Sequence, residues 1–85
     1  MHAVVTHATI NDQEAATAAL QSDVVPTLKQ APGFVGAYFV SFGAKGVSVV
    51  VWESEEAART AAERRSPGAG VTFDSTEIGE VVASG

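Results

Sequence analysis

Polar and apolar positions along the chain change period several times, and each change marks an element. From His2 to Ile10 Val and Thr are mixed with Ala and His, a composition suited to a strand partly buried on both faces. Asn11-Asp12-Gln13-Glu14 then reads as a helix start, with Asn11 able to cap and Glu14 at the capping-box position. Ala16, Leu20, Val24 and Leu28 recur every four residues, so a helix with one apolar stripe is expected to about Gln30. Pro26 falls inside that stripe, removes one backbone donor, and predicts a kink or a separate last turn. Ala31-Pro32-Gly33 ends the helix.

The aromatic and Val-rich stretch from Phe34 to Phe42 predicts a second strand. Gly43-Ala44-Lys45-Gly46 is a hairpin loop with glycines available for positive φ, and Val47 to Glu53 is a third strand. Ser54 caps a second helix. Glu55 and Glu56 fall in its first turn and Arg64 and Arg65 in its last, the charge order that complements the helix dipole. Its apolar face is Ala57, Ala58, Ala61 and Ala62, whose short side chains permit close approach to a sheet. The segment from Ser66 to Gly70 breaks this helix, and a last strand is expected from Val71 to Ala83 with a bend around Asp74 to Glu77.

The order β-α-β-β-α-β is the ferredoxin-like, split βαβ arrangement: an α+β fold with an antiparallel sheet and two helices on one face. Eighty-five residues make one domain, 1–85. A domain of this size buries only about 60–65% of its unfolded surface and is marginal by itself. The chain has no cysteine, so neither a disulfide nor a thiolate metal site can supplement the core. Hydrophobic residues make up 46% of the chain and charged residues 18%, a balance that suits a subunit with a face to cover. Strand two carries apolar residues on both parities, Phe34, Tyr38, Val40 and Phe42 on one and Val35 and Phe39 on the other. A second copy of the chain is the simplest cover for the face away from the helices, so a homodimer through sheet faces is expected.

Charge narrows the partners. The net charge is −5, and the basic residues Lys29, Lys45, Arg59, Arg64 and Arg65 are scattered over three segments. Nucleic-acid binding relies on clustered cations, so neither nucleic acid nor an anionic membrane is expected as a partner. Gly36 to Phe42 faintly resembles an RNA-binding strand motif. It lacks the basic residue before the glycine, has Tyr38 in place of a small residue, and falls on the second strand rather than the third. The apolar run Val49 to Trp52 is far shorter than the roughly 20 residues that span a bilayer. No charged n-region precedes a long apolar h-region, and a cytoplasmic location is the expectation.

Several of these segments resemble one family. Val24-Val25-Pro26, then Ala31-Pro32-Gly33-Phe34, then a Val-rich strand running into Trp52-Glu53-Ser54-Glu55-Glu56-Ala57, are similar to the dimeric α+β barrel superfamily, and within it to the antibiotic-biosynthesis-monooxygenase group. The resemblance covers the whole chain and implies two sheets facing each other across a homodimer. The superfamily includes cofactor-independent quinone-forming oxygenases, haem-degrading enzymes and isomerases, so the fold does not assign a chemistry. The haem-degrading branch places a first-strand Asn where this chain has His7, a Trp at about Ala61, and a haem-ligating His near Gly68 to Gly70. This chain departs at all three, which argues against haem degradation, and no cofactor is expected.

The candidate pocket residues are His7, Tyr38 and Trp52. His7 stands mid-strand between Thr6 and Ala8, where the resemblance places pocket groups, and an imidazole can move protons near neutral pH. Its structural alternative is a histidine at a sheet edge or dimer interface. Tyr38 can offer a phenol to a ligand or pack with its hydroxyl at a rim. Trp52 ends the third strand and is expected to cap the core, with an indole N–H that needs a partner when buried. Two histidines, His2 and His7, without nearby carboxylates do not make a metal site, although a contact between His7 and Asp74 is conceivable. No phosphate-binding glycine loop and no nucleophile elbow is present. Two readings follow: a dimeric module that binds a small apolar ligand, or a cofactor-independent monooxygenase or isomerase-like enzyme acting on an aromatic or polyketide-like molecule between sheet and helices.

Overall fold

The computed structural model describes residues 1–64 and 70–83. Four strands, β1 (His2–Ile10), β2 (Phe34–Phe42), β3 (Lys45–Trp52) and β4 (Val71–Glu80), form one antiparallel sheet in the order β2-β3-β1-β4. The first helical stretch is α1 (Gln13–Ala19), a π-helical turn (Leu20–Val24) and α2 (Val25–Gln30); α3 (Glu55–Arg64) is the second. This is the expected βαββαβ topology, with the helical segments packed on one face of the sheet. Among the described residues no helix is long and apolar enough to cross a membrane.

Pairing explains which side chains are buried. Val4 lies opposite Val50, His2 opposite Trp52, and Ala37 opposite Val50 from the other side. Val4, Val50, Trp52 and Ala58 form the buried core, with Leu28, Phe34, Phe39, Ala57, Ala61 and Ala62 packed against it. Ala58 is 0% exposed. The four alanines let α3 lie close on the sheet, as their size anticipates.

The first helix departs from expectation at its start. Asp12, not Asn11, is the cap: its Oδ1 accepts from the Ala15 N–H at 3.1 Å. Asn11 instead donates through Nδ2 to the Thr72 hydroxyl at 2.9 Å. With the cap at Asp12, Ala15 occupies the capping-box position and Glu14 does not. The π turn is a second difference. Pro26 has no N–H for the carbonyl of Ser22, four residues earlier, and its ring crowds that carbonyl. The chain answers with a wider turn before the proline, in which the Val25 N–H bonds to the Leu20 carbonyl. A strict four-residue stripe drifts about 40° per step around an α-helix of 3.6 residues per turn. The wider turn takes up part of that drift, so Ala16, Leu20, Val24 and Leu28 all face the same cleft.

The hairpin is tighter than expected, because β3 begins at Lys45 and only Gly43 and Ala44 lie between the strands. Gly43 has φ +78° while Ala44 does not have a positive φ, the pattern of a type II′ turn. Val35 is a bulge: Phe34 pairs with Trp52 and Gly36 with Val51. That extra residue reverses the parity, so Phe34 faces the helices with Phe39, while Tyr38, Val40 and Phe42 lie on the far side. A second bulge, at Asp74, lies between the pairs Ala8–Phe73 and His7–Ser75 and accounts for the expected bend. β4 ends at Glu80, three residues before the expected Ala83. Arg65, expected in the last turn of α3, and residues 66–69, expected to break it, lie outside the described residues.

Gly70 joins the two halves of the fold. Its carbonyl accepts from the Asn11 and Asp12 N–H groups at 2.7 and 3.1 Å. Its φ is +73°, and a Cβ there would lie 2.6 Å from the Asp12 carbonyl oxygen. Gly70→Ala is expected to destabilise the protein by about 1–3 kcal/mol through strain and collision. Gly43→Ala, with a similar φ but nothing within 4 Å of the added methyl, should cost about 1 kcal/mol or less. Urea unfolding of both variants checks this; equal losses would remove the steric part of the argument.

Candidate functional site

Two surfaces of the sheet have the makings of a site, and they lie back to back. On the helix side, α1 and the π turn stand off the sheet and enclose a cleft of about 1020 Å³. Its floor is the inward-facing row of β1, Val4, Thr6, Ala8 and Ile10, continued by Ser48 and Val50 on β3, Phe39 on β2 and Phe73 on β4. Its roof is the stripe Ala16, Leu20, Val24 and Leu28, and Ala57 and Ala61 of α3 close one end. Glu56 and Arg64, both exposed on α3, are the charged residues among those that line it.

Three buried polar groups belong to this floor. The Thr6 hydroxyl lies 3.5 Å from that of Thr76. Ser48 sits opposite Thr6 and is 6% exposed, and its Oγ has no hydrogen-bond partner among the described residues. Trp52 is 3% exposed; its ring meets that of Phe34 edge to face, with centroids 5.8 Å apart, and its Nε1 has no hydrogen-bond partner among the described residues. Both atoms are shielded from solvent in the single chain, and leaving a buried polar group unpaired costs about 1–3 kcal/mol.

The far face of the sheet is apolar and open. Tyr38, Val40 and Phe42 of β2 stand exposed there, Tyr38 at 72% and Phe42 at 67%. By register the face continues through Val47, Val49 and Val51 of β3 and Ala3, Val5 and His7 of β1. One corner is polar: the Thr9 hydroxyl donates to Asp74 at 2.9 Å and accepts from Lys45 Nζ at 2.9 Å, with Lys45 and Asp74 3.6 Å apart. Asp74 therefore engages Thr9 and Lys45, whereas His7 is exposed between Val47 and Ser75.

The three candidate residues thus divide between the two faces. Trp52 lines the cleft; His7 and Tyr38 point away from it, and Thr6 and Ala8 are the first-strand residues beside His7 that do line it. The alternation of a strand places neighbours on opposite faces, so a shift of one position in matching His7 to a pocket residue changes the side it serves. Sequence reasoning missed Ser48. A serine amid valines in a buried strand was the available signal, because a hydroxyl there must find a partner or line a cavity. His2 is beside α3, its Nε2 3.5 Å from Glu55, which Arg59 also contacts at 2.8 Å. Among the described residues no group of three or more His, Asp or Glu could hold a metal ion.

No protein-family model matches the chain. No curated protein matches it. Among solved structures it is similar to the crystal structure of the heme-degrading protein Rv3592 from Mycobacterium tuberculosis, in a heme-free form with cleaved protein. The two are 25% identical, the match covers 98% of this chain and 94% of that one, and the TM-score is 0.55. The likeness supports the fold superfamily that the sequence motifs resemble, and the chain has the α+β fold of that protein over nearly its whole length.

Proposed function

We propose that this protein is a homodimeric small-molecule-binding protein whose ligand, an apolar compound, occupies the cleft between the sheet and the α1–α2 segment. The observation that carries the reading is the cleft itself: about 1020 Å³ of largely aliphatic and aromatic lining with some polar side chains among it, the usual character of a ligand site. The likeness to a heme-degrading protein supports a small-molecule role. Binding is favoured over catalysis because the floor offers no titratable side chain, and His7 and Tyr38 face the other way. The enzymatic alternative, a cofactor-independent monooxygenase or isomerase, would need its proton-moving groups inside the cleft.

The second copy covers the open face. Tyr38, Val40, Phe42 and the β3 valines form an apolar surface of the kind that marks interaction sites, and two such sheets pack about 10 Å apart. His7 and Tyr38 would then lie in the space between the sheets. A stable interface buries on the order of 1,200 Å² or more in total.

Haem itself is not the proposed ligand. Where the resemblance implies a Trp, the cleft has the methyl of Ala61. Where it implies a first-strand Asn, His7 faces the opposite side, and neither residue 68–69 nor Gly70 is a histidine. Native mass spectrometry of the purified protein should give the dimer mass, with or without a retained organic molecule, and haemin titration should give no stoichiometric Soret shift. A folded monomer at micromolar concentration would end the dimer reading. A sharp one-to-one Soret change would make haem the ligand.

A further inference from the structure

We infer, on the reading of the cleft as a small-molecule site, that Arg64 anchors its ligand and that this ligand is a monocarboxylate. Its one carboxylate lies at the Arg64 end of the cleft and its apolar body under the α1–α2 roof.

The cleft side of α3 carries two rows of residues. Ala57 and Ala61 form an apolar row, and Glu56, Thr60 and Arg64, spaced every four residues, form a polar row beside it. Glu55, Arg59, Ala62 and Glu63 line a separate groove along β4, so the other charged residues of the helix serve its opposite side. Among the described cations, Arg59 lies 2.8 Å from Glu55 and Lys45 lies 3.6 Å from Asp74. The Arg64 guanidinium has no partner among the described residues. Thr60 stands four residues before it, where a carboxylate would pair along the helix. Lys29 has no ion pair either, but it does not line the cleft. Of the described cations, only Arg64 is both unpaired and on the cleft.

The two charges mark two ends. Glu56 and Arg64 are eight residues apart on α3, about 12 Å at the rise of an α-helix. The Glu56 end is tightly packed: a Cβ on Gly33 would lie 3.1 Å from that of Ala57. From there α3 leads away from Trp52, toward the end of the sheet where Ile10 pairs with Val71. Arg64 is exposed, so a carboxylate beside it keeps much of its hydration and avoids the desolvation cost of the apolar floor. The planar guanidinium can donate to both carboxylate oxygens. Asp12, at the same end, does not line the cleft; its carboxylate accepts from the Ala15 N–H and caps α1. A second carboxylate at the far end of the ligand would lie in aliphatic lining or beside Glu56. The charge pattern therefore selects one anionic group and not two.

The probes are decanoate, 1-decanol and decanedioate, unbranched chains of equal length that differ in charge. Calorimetric titration of the purified protein at neutral pH should give decanoate an affinity about three- to tenfold above that of decanol, between the worth of an exposed ion pair and that of a charge-assisted hydrogen bond. Decanedioate should bind more weakly than decanoate. Raising the salt from about 20 to about 500 mM should narrow the gap between decanoate and decanol. Arg64→Gln should bring decanoate down to the affinity of decanol and leave decanol unchanged. Arg64→Lys should restore part of the gain, and Arg59→Gln, on the other side of α3, should change neither affinity. The Ala61 and Leu28 methyl resonances should shift with decanoate and with decanol, since both residues line the cleft. Equal binding of decanoate and decanol would overturn the anchor role of Arg64 and leave the cleft a small-molecule site. A difference that survives Arg64→Gln, or that Arg59→Gln removes equally, would do the same. Binding of neither probe, or binding without those methyl shifts, would remove both.

Discussion

Tyr38→Glu combined with Phe42→Glu is expected to yield a folded monomer. Each side chain is about two-thirds or more exposed in the single chain, at 72% and 67%, so neither substitution disturbs the core made by Val4, Val50, Trp52 and Ala58. In the proposed dimer the same two positions are buried against the other sheet, and four carboxylates would enter an apolar interface with no cations beside them. Unpaired charges of that kind are among the costliest interface changes, so dissociation should be favoured on the order of 100-fold or more. Sedimentation velocity at micromolar concentration reads the assembly, and far-UV circular dichroism reads the fold. A double variant that stays dimeric would place the interface elsewhere. A variant that unfolds would mean that the single chain depends on the covered face, which a domain of 85 residues makes physically reasonable; the single Val40→Glu variant then tests the interface with a smaller disturbance.

Trp52→Ala is expected to cost about 3–5 kcal/mol, the range for a large aromatic removed from a core. The ring is 3% exposed, lies edge to face with Phe34, and packs in the cluster that includes Ala58 of α3. Its loss opens a cavity where three elements meet, and small domains are stable by only about 5–15 kcal/mol. Urea unfolding followed by circular dichroism at fixed protein concentration measures the loss. Trp52→Phe should retain much of the packing and cost clearly less. A loss under about 1 kcal/mol for Trp52→Ala would mean that the side chain is not a core element.

Strand extent and strand facing have different physical origins in this chain. β1 and β2 end where their hydrophobic runs end, because a strand's extent is a local property of β-branched and aromatic residues bounded by turn residues. The face each residue takes is not local in the same way. Val35 inserts one residue against β3 and moves Phe34 from the Tyr38 side to the Trp52 side. Gly36 inside the run is a local sign of a bulge, but the residue it displaces and the face each neighbour takes depend on how the partner strand pairs. His7 illustrates the same limit: its place on β1 was legible, but its direction followed only from the pairing of β1 with β3 and β4. The cap on α1 is Asp12 where Asn11 was expected, because the Asn11 side chain bonds Thr72 while the Gly70 carbonyl holds both N–H groups.

By itself, then, the sequence determined the element order, the α+β class, the alanine face of α3 and the presence of more apolar surface than one sheet face can hide. These follow from periodicity, propensity and composition, which act over a few residues at a time. The tertiary structure decided which residues share a site. It put Trp52 and Ser48 under the α1–π turn roof, set His7 and Tyr38 on the opposite side of the sheet, and gave the cleft its volume by holding α1 away from β1. The reason is the period of the strand: side chains alternate at every residue, so one bulge or one step of register exchanges the two faces, and only the assembled sheet fixes that step.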